Sequence, residues 1–229
     1  MDHHEKHFTG SEMVRDIVIG MSDGLTVPFA LTAGLSGAVS SNTIVITAGI
    51  AEIIAGSIAM GLGGYLAGKT EYDHYFAELK REYDEVEAVP EKEKKEVEEV
   101  LEGYGISENI KRSFVNELAL DKDKWVSFMM KFELGLEEPG KNRARNSALT
   151  IALAYVVGGL IPLSSYFFTS HPLNGLYGSI VITMFALMIF GYFKSKATDQ
   201  NPVKGALKTT LIGALAAAAA YGIARLVSA

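Results

Sequence analysis

Residues 43–68 read TIVITAGIAEIIAGSIAMGLGGYLAG, and Glu52 is the only charged residue among them. An α-helix rises about 1.5 Å per residue, so about 20 apolar residues cross the hydrocarbon core of a bilayer. A second stretch, residues 17–39, is also apolar and carries only Asp23. A carboxylate costs at least about 2.5–3.5 kcal/mol in hydrocarbon and is tolerated chiefly beside a cavity or an ion path. The two stretches therefore predict membrane-spanning helices, with Asp23 and Glu52 as candidate functional residues.

The other charges of the chain are concentrated in one segment. Residues 69–145 hold 20 of the 27 acidic and 14 of the 21 basic residues, which accounts for the whole net charge of −6. This acidic balance argues against nucleic acid as a partner, and the lack of cysteine excludes disulfides and thiolate metal ligands. We therefore predict an all-α integral membrane protein with five transmembrane helices and a soluble helical domain. The predicted parts are an N-terminal segment at 1–16, two transmembrane helices at 17–68, the acidic domain at 69–147, and three transmembrane helices at 148–229, centred on the apolar runs 148–168, 173–193 and 206–226.

The distribution of basic residues predicts the orientation in the membrane. Nearly every Lys and Arg lies in 1–16, 69–147 or 194–205, whereas the connectors 40–42 and 169–172 contain none. Because basic loops stay in the cytoplasm, we expect the N-terminus and the acidic domain there, and the C-terminus across the membrane.

Counting residues along the helices predicts where three unusual side chains lie. Asp23 is six residues into the first span, and Met60 is eight residues before the end of the second, which are depths of roughly 9 and 12 Å. These two residues can therefore meet at one level, with Glu52 two turns further along the second helix. Thioether sulfur favours softer transition metals over Mg²⁺ and Ca²⁺, so the combination indicates a path for such a metal.

Each of these residues also has a purely structural interpretation. Met60 can simply fill packing space. The glycine-rich face of the second span, which Met60 shares with Glu52, can serve close helix packing or dimerisation. Asp23 can cap a broken helix near Pro28.

The acidic domain is predicted to be helical and to carry paired metal ligands. The second span should continue through Glu87, a helix should start at Pro90, and Ser107 should cap a further helix that is interrupted near Asp121 and ends at about Glu137. Ligands three residues apart lie on one helix face. Such pairs are Glu82 with Glu85, Glu93 with Glu96, and Met130 with Glu133. The alternatives are a solvated acidic surface and a small core filled by Met129 and Met130.

The two spans carry motifs of a known family. DGLTVPF at 23–29, followed by TAG at 32–34, resembles the first-span motif of the vacuolar iron transporters, and EIIAGSIAMGLGGYLA at 52–67 resembles their second-span motif. The resemblance covers essentially the whole chain, is closest to the plant members, and includes the acidic domain of the plant and fungal branch. It implies a homodimer of five-span subunits in the vacuolar membrane, with the ion path along the subunit interface. It also implies that the protein is not an enzyme, has no cofactor, and carries Fe²⁺ from cytosol to vacuole in exchange for protons.

The resemblance also implies roles for individual residues. Asp23 and Met60 correspond to ion-path ligands, and Glu52 corresponds to a carboxylate of the same path. The metal-binding positions of the cytoplasmic domain correspond to Glu82, Glu85, Glu93, Glu96, Met130 and Glu133, with Met129 as their neighbour. Mn²⁺, Co²⁺ and Zn²⁺ remain alternative substrates because they accept the same oxygen and thioether ligands.

Two other functions fit parts of the pattern. One is a membrane-anchored metal-binding or sensor protein that transports nothing. The other is a di-iron oxidase, because Glu71 and His74 form one Glu-x-x-His motif of the kind that holds paired irons. A single copy of that motif makes the oxidase the weaker alternative.

Overall fold

The computed structural model describes residues 11–227, and these residues form helices and no strands. The α-helices are α1 (Ser11–Ala38), α2 (Asn42–Ala88), α3 (Pro90–Gly103), α4 (Glu108–Leu118), α5 (Lys122–Phe128), α6 (Arg143–Ser164), α7 (Pro172–Ala197) and α8 (Pro202–Val227). A π-helical turn, Met129–Glu133, follows α5, and a 3₁₀ turn, Ser165–Phe168, follows α6. The all-α prediction is confirmed. Most of the predicted N-terminal segment 1–16 lies outside the described residues.

Five of these helices, α1, α2, α6, α7 and α8, are long and apolar enough to cross a membrane, which confirms the predicted number. Helix α2 has 47 residues. That corresponds to about 70 Å, more than twice the thickness of the hydrocarbon core. Its apolar part ends at Gly68, and the remaining turns are rich in charge. The expected continuation of the second span through Glu87 is therefore observed.

The chain divides into two compact units that share α2, with the boundaries at 66/67 and 143/144. In the first unit, Phe29, Leu163 and Tyr166 are almost fully buried in a common core. The amide of Asn42 donates hydrogen bonds to the backbone carbonyls of Tyr166 (2.7 Å) and Thr169 (2.6 Å). The two uncharged connectors therefore lie at the same end of this unit, as an alternating five-span topology requires.

Helix α1 is continuous from Ser11 to Ala38 and includes Pro28. The Thr32 hydroxyl donates to the Pro28 carbonyl (2.8 Å), and the helix continues through the proline without a break. The alternative that Asp23 caps a broken helix is therefore wrong.

The second unit, Ala67–Arg143, has its own small core around Trp125, Val97 and the two methionines 129 and 130. Asp121 caps α5 by accepting a hydrogen bond from the backbone N–H of Lys124 (3.2 Å). Ser107 precedes α4 as predicted, although its side chain makes no capping hydrogen bond. The last helical segment ends at Glu133 rather than near Glu137, because Gly135 adopts a φ of +65°, which terminates the helix.

Candidate functional site

Glu52 is held by a tyrosine that the sequence did not single out. The hydroxyl of Tyr155, on α6, donates a 2.5 Å hydrogen bond to Oε1 of Glu52 on α2. The other oxygen, Oε2, is buried and accepts no hydrogen bond. Tyr155 itself is only 2% exposed. Glu52 is therefore fixed at one oxygen and left with an unused ligand atom at the other.

Tyr155 is also the place where α1, α2 and α6 approach one another. A Cβ at Gly56 of α2 would lie 2.5 Å from Cζ of the Tyr155 ring. A Cβ at Gly24 of α1 would lie 2.9 Å from the Tyr155 Cα. Both distances are too short for real atoms, so the glycines provide the space that the tyrosine occupies. Asp23 precedes Gly24 and is half-buried, and its carboxylate makes no hydrogen bond or ion pair with the residues that the structure describes.

The glycine-rich face of α2 packs against α6 within the chain. One turn of helix separates Met60 from Gly56 and another separates it from Gly64, where a Cβ would lie 2.6 Å from the Ile151 side chain. Met60 is half-buried between these two contacts. The predicted helix-packing role of the glycines is therefore present, and it places Met60 on the face of α2 next to α6. That Asp23 and Met60 ligate one ion stays a prediction.

In the second unit, the structure brings three of the predicted ligands together. Carboxylate oxygens of Glu82, Glu85 and Glu93 all lie within 4.8 Å of one another. A single residue, Val89, separates α2 from α3, and its carbonyl accepts hydrogen bonds from the backbone N–H groups of Lys92 and Glu93. This short turn sets the pair at the end of α2 beside the pair at the start of α3.

The buried oxygens of this cluster have no donor. Glu93 is 0% exposed and Glu82 is 2% exposed. Neither oxygen of Glu93 accepts a hydrogen bond from a donor group, and Oε2 of Glu82 also lacks one. Buried acceptors are normally paired, so these three atoms are suited to an ion that is present during function.

Burial and mutual repulsion favour protonation of these carboxylates. Burial, followed by the charge of Glu96 and then of Glu82, raises the pKa of Glu93 from 4.5 to about 7. Glu133 is more exposed overall, yet partial desolvation of its carboxyl and the nearby charges of Glu96 and Glu82 raise its pKa to about 7 as well. The pKa of Glu82 is raised by burial and by Glu85. These five carboxylates thus form one electrostatic cluster.

Two exposed cations lie at the rim of the carboxylate cluster. Arg81 lies 3.8 Å from Glu82 and 3.7 Å from Glu85. Lys92 lies 2.8 Å from Glu96 and 3.6 Å from Glu93. These contacts leave more negative than positive charge, which favours binding of a divalent cation.

The two methionines are located in the core beside the cluster. Met129 and Met130 are 0% and 2% exposed and pack with Val86, Val97 and Trp125. The alternative that they fill a small core therefore describes their packing correctly. They begin the π-helical turn that ends at Glu133, and π-helical turns are frequent at functional sites.

The single Glu-x-x-His motif does not join the carboxylate cluster. His74 is exposed, and its Nδ1 lies 3.8 Å from Glu78 rather than beside a second motif. The described residues therefore give the oxidase alternative no paired site. The residues that sequence reasoning missed are Tyr155, Arg81 and Lys92. Of these, only Tyr155 could have been identified from the sequence, since a buried tyrosine hydroxyl in an apolar span requires a hydrogen-bond partner.

The comparisons with known proteins cover nearly the whole chain. A family model described as "VIT family" matches residues 14–225. "Vacuolar iron transporter 1" of Arabidopsis thaliana is 57% identical over 228 residues, which is 99% of this chain and 91% of the relative. "Vacuolar iron transporter 1" of Tulipa gesneriana is 54% identical over 226 residues, 99% of this chain and 92% of the relative. "Protein CCC1" of Saccharomyces cerevisiae is 40% identical over 222 residues, 93% of this chain and 69% of the relative.

Proposed function

The chain belongs to the VIT family, and we propose that it moves Fe²⁺ from the cytosol into the vacuole in exchange for protons. Iron transport into the vacuole follows from the family and its named relatives, which are transporters and not enzymes. The exchange for protons, the acceptance of Mn²⁺, Co²⁺ or Zn²⁺, the roles of individual residues and the assembly as a homodimer are our proposal.

The observation that carries the proposed exchange is the unsatisfied oxygen of Glu52. Tyr155 occupies one oxygen of this intramembrane carboxylate, and the other has no donor. Either a proton or a metal ion can fill that position, but a carboxylate must be deprotonated before it binds a metal. Binding of the two ions is therefore mutually exclusive at this oxygen, and such competition is a simple basis for exchange.

Asp23 and Met60 are proposed to select the ion. Carboxylate oxygen binds most divalent cations, whereas thioether sulfur binds Fe²⁺ and similar metals better than Mg²⁺ or Ca²⁺. Asp23 is half-buried and has no protein partner among the described residues, so its oxygens are available as ligands. The combination excludes the abundant hard cations of the cytosol.

The carboxylate cluster of the second unit is proposed to collect metal in the cytosol. Its ligands are Glu82, Glu85, Glu93, Glu96 and Glu133, with Met130 as a soft ligand. Since the pKa values of Glu93 and Glu133 are about 7, protons and metal compete near neutral pH, so the bound metal can be released by a modest local acidification.

The proposed orientation can be tested because the chain has no cysteine of its own. Single cysteines can be introduced at Ser170, in the connector 169–172, and at Glu99, in the second unit; both positions are exposed. An impermeant thiol reagent added to intact vacuoles should label E99C and leave S170C unlabelled until the membrane is opened. Labelling of S170C alone would reverse the proposed orientation.

Flux measurements in proteoliposomes test the transport mechanism. Fe²⁺ uptake and proton release are followed together, with and without an acidic interior, for D23N, E52Q and M60L. M188L is the matched control, because Met188 is exposed on α7 and distant in sequence from the path residues. We expect D23N, E52Q and M60L each to lose uptake, the two carboxylate variants by at least about tenfold, a size typical for weakened metal ligation, and M188L to lose nothing.

Each other outcome of the flux measurements contradicts a different part of the proposed mechanism. Fe²⁺ uptake that does not depend on the pH gradient contradicts proton exchange. Wild-type uptake in D23N and M60L contradicts the assignment of the path. A wild-type protein that binds Fe²⁺ but transports none favours the alternative of a membrane-anchored metal-binding protein.

A further inference from the structure

A cavity of about 340 Å³ lies between the end of α7 and the start of α8. Three lysines, contributed by both helices, line it: Lys194, Lys204 and Lys208. In the part of the chain that the structure describes, none of them has a carboxylate within ion-pair distance. In a protein with a net charge of −6, the cavity thus collects three positive charges without a counter-charge.

The remaining wall of this lysine cavity is mostly polar. Ser195 lines the cavity and is 6% exposed, and its hydroxyl makes no hydrogen bond with the described residues. Asn201 accepts hydrogen bonds from the backbone N–H groups of Val203 and Lys204, each at 3.1 Å. Its amide N–H groups therefore remain available as donors. Thr198, Gln200 and Thr209 contribute further polar side chains.

This donor set is suited to a multiply charged anion. Lysine ammonium groups bind phosphate as point charges, and the Ser195 hydroxyl and the Asn201 amide add neutral hydrogen-bond donors. A phosphate monoester carries about −1.5 to −2 charges at pH 7, so three lysines are sufficient to neutralise it. Metal cations, the proposed substrate of the protein, are repelled from this position.

The surface next to the lysine cavity is apolar, so an amphiphile can contact both the cavity and this surface. Ile212, one turn after Lys208, also lines the cavity and is 54% exposed. Leu215 continues the exposed apolar face of α8 toward the centre of the span. A free phosphate compound would use only the polar part, whereas a phospholipid would use both.

We propose that the lysine cavity binds an anionic phospholipid whose headgroup carries a phosphate monoester, with its acyl chains along α8. The cavity lies at the end of α7 opposite to the connector 169–172, and therefore in the leaflet that the proposed orientation makes cytoplasmic. Basic pockets between transmembrane helices on that side are suited to such headgroups. The ligand would anchor the hairpin of α7 and α8 at the membrane surface.

Binding of a short-chain lipid to the full chain in maltoside micelles tests the proposal. The probe is fluorescent dioctanoyl phosphatidylinositol monophosphate, without metal or a pH gradient, so the result does not depend on transport. We expect K194Q/K204Q/K208Q to bind about a hundredfold more weakly than wild type, since each lysine contributes to headgroup attraction. K194R/K204R/K208R should retain binding.

The matched control is K80Q/K95Q/K141Q, which removes the same charge from three exposed lysines elsewhere in the chain that form no ion pair with the described residues. This control should bind like wild type, and equal weakening in both triple variants would overturn the proposal. Should the first triple variant not be monodisperse, the single variant K208Q, with an expected loss of about fivefold, serves the same test.

Competition with other compounds decides the source of the phosphate. Dioctanoyl phosphatidylcholine should not displace the probe, and inositol phosphate or inorganic phosphate should displace it only at much higher concentration. If the soluble phosphates compete as well as the lipid, the ligand is a free anion and the lipid assignment is wrong. If phosphatidylcholine competes equally, the lysines do not recognise the headgroup.

Discussion

Replacing Glu93 by glutamine should stabilise the metal-free second unit at alkaline pH and change its stability little at acidic pH. In the folded protein, the pKa of Glu93 is raised from 4.5 to about 7. Between these values the folded state keeps a proton that the unfolded chain has released. The contribution of Glu93 to folding therefore becomes steadily less favourable from about pH 4.5 to pH 7, and it stays unfavourable above pH 7. Glutamine does not ionise, so it does not contribute this unfavourable free energy to the folded state.

The size of the effect follows from the same two pKa values. One pH unit corresponds to about 1.4 kcal/mol, so ionised Glu93 costs the folded state up to about 3 kcal/mol at pH 8 and less than about 0.5 kcal/mol at pH 4.5. Glu82, Glu96 and Glu133 also repel one another, so part of the electrostatic repulsion in the cluster remains after Glu93 is replaced. We therefore expect a gain of about 1–3 kcal/mol for E93Q at pH 8.

The assay uses the only tryptophan of the chain, Trp125, which lies in the core of the second unit. Its fluorescence reports unfolding of this unit during a urea titration of the full chain in micelles, with a chelator present. E99Q is the matched control, because Glu99 is exposed on the same helix.

Three results would refute the reasoning about Glu93. The first is a lower urea midpoint for E93Q than for wild type at pH 8. The second is a gain of equal size at pH 4.5 and pH 8, which would point to packing rather than to charge. The third is an equal gain in E99Q, which would point to the net charge of the unit rather than to the buried cluster.

The remaining predictions concern both units. Y155F should lower proton-coupled Fe²⁺ uptake about tenfold because it removes the donor from the intramembrane carboxylate, whereas Y177F, on the exposed surface of α7, should transport normally. G56A should lower the thermal midpoint, with a cost of about 1–3 kcal/mol, because its Cβ would overlap the Tyr155 ring; G63A, which has open space around it, should not destabilise. Mn²⁺ at a hundred times its dissociation constant should stabilise the unit around Trp125 by about 2.7 kcal/mol, and its affinity should fall between pH 8 and pH 6 as the raised carboxyl pKa values are passed.

The helices and the candidate ligands could be predicted from sequence because both depend on local spacing. Two apolar stretches with one carboxylate each are visible without knowledge of the fold, and so are glutamate pairs at i and i+3. The proximity of Glu85 and Glu93 also had a local cause, the one-residue turn at Val89. Pro90 marked the start of α3, but the sequence did not specify how closely the two pairs would approach.

The partner of Glu52 could not be predicted because it is 103 residues away in the chain. The span that contains Tyr155 also contains other polar side chains, and only the packing of α6 on α2 selects one of them. The end of the last helical segment was missed for a different reason. Gly135 adopts a positive φ, which ends the helix. The composition around Glu137 is still compatible with a helix, so the sequence pattern predicted a helix that was too long.

In both units the candidate metal-binding carboxylates lack a buried cation as a partner among the residues that the structure describes. Glu52 receives a tyrosine hydroxyl, and Glu93 is enclosed beside an apolar core, while Arg81 and Lys92 approach from the exposed side. A buried Arg or Lys at these positions would satisfy the oxygens permanently and compete with the metal. Leaving them without a cation lowers the stability of the metal-free protein, and the proposed binding of a divalent ion would recover that free energy. The same unpaired oxygens therefore explain both the predicted gain in E93Q and the expected affinity for metal.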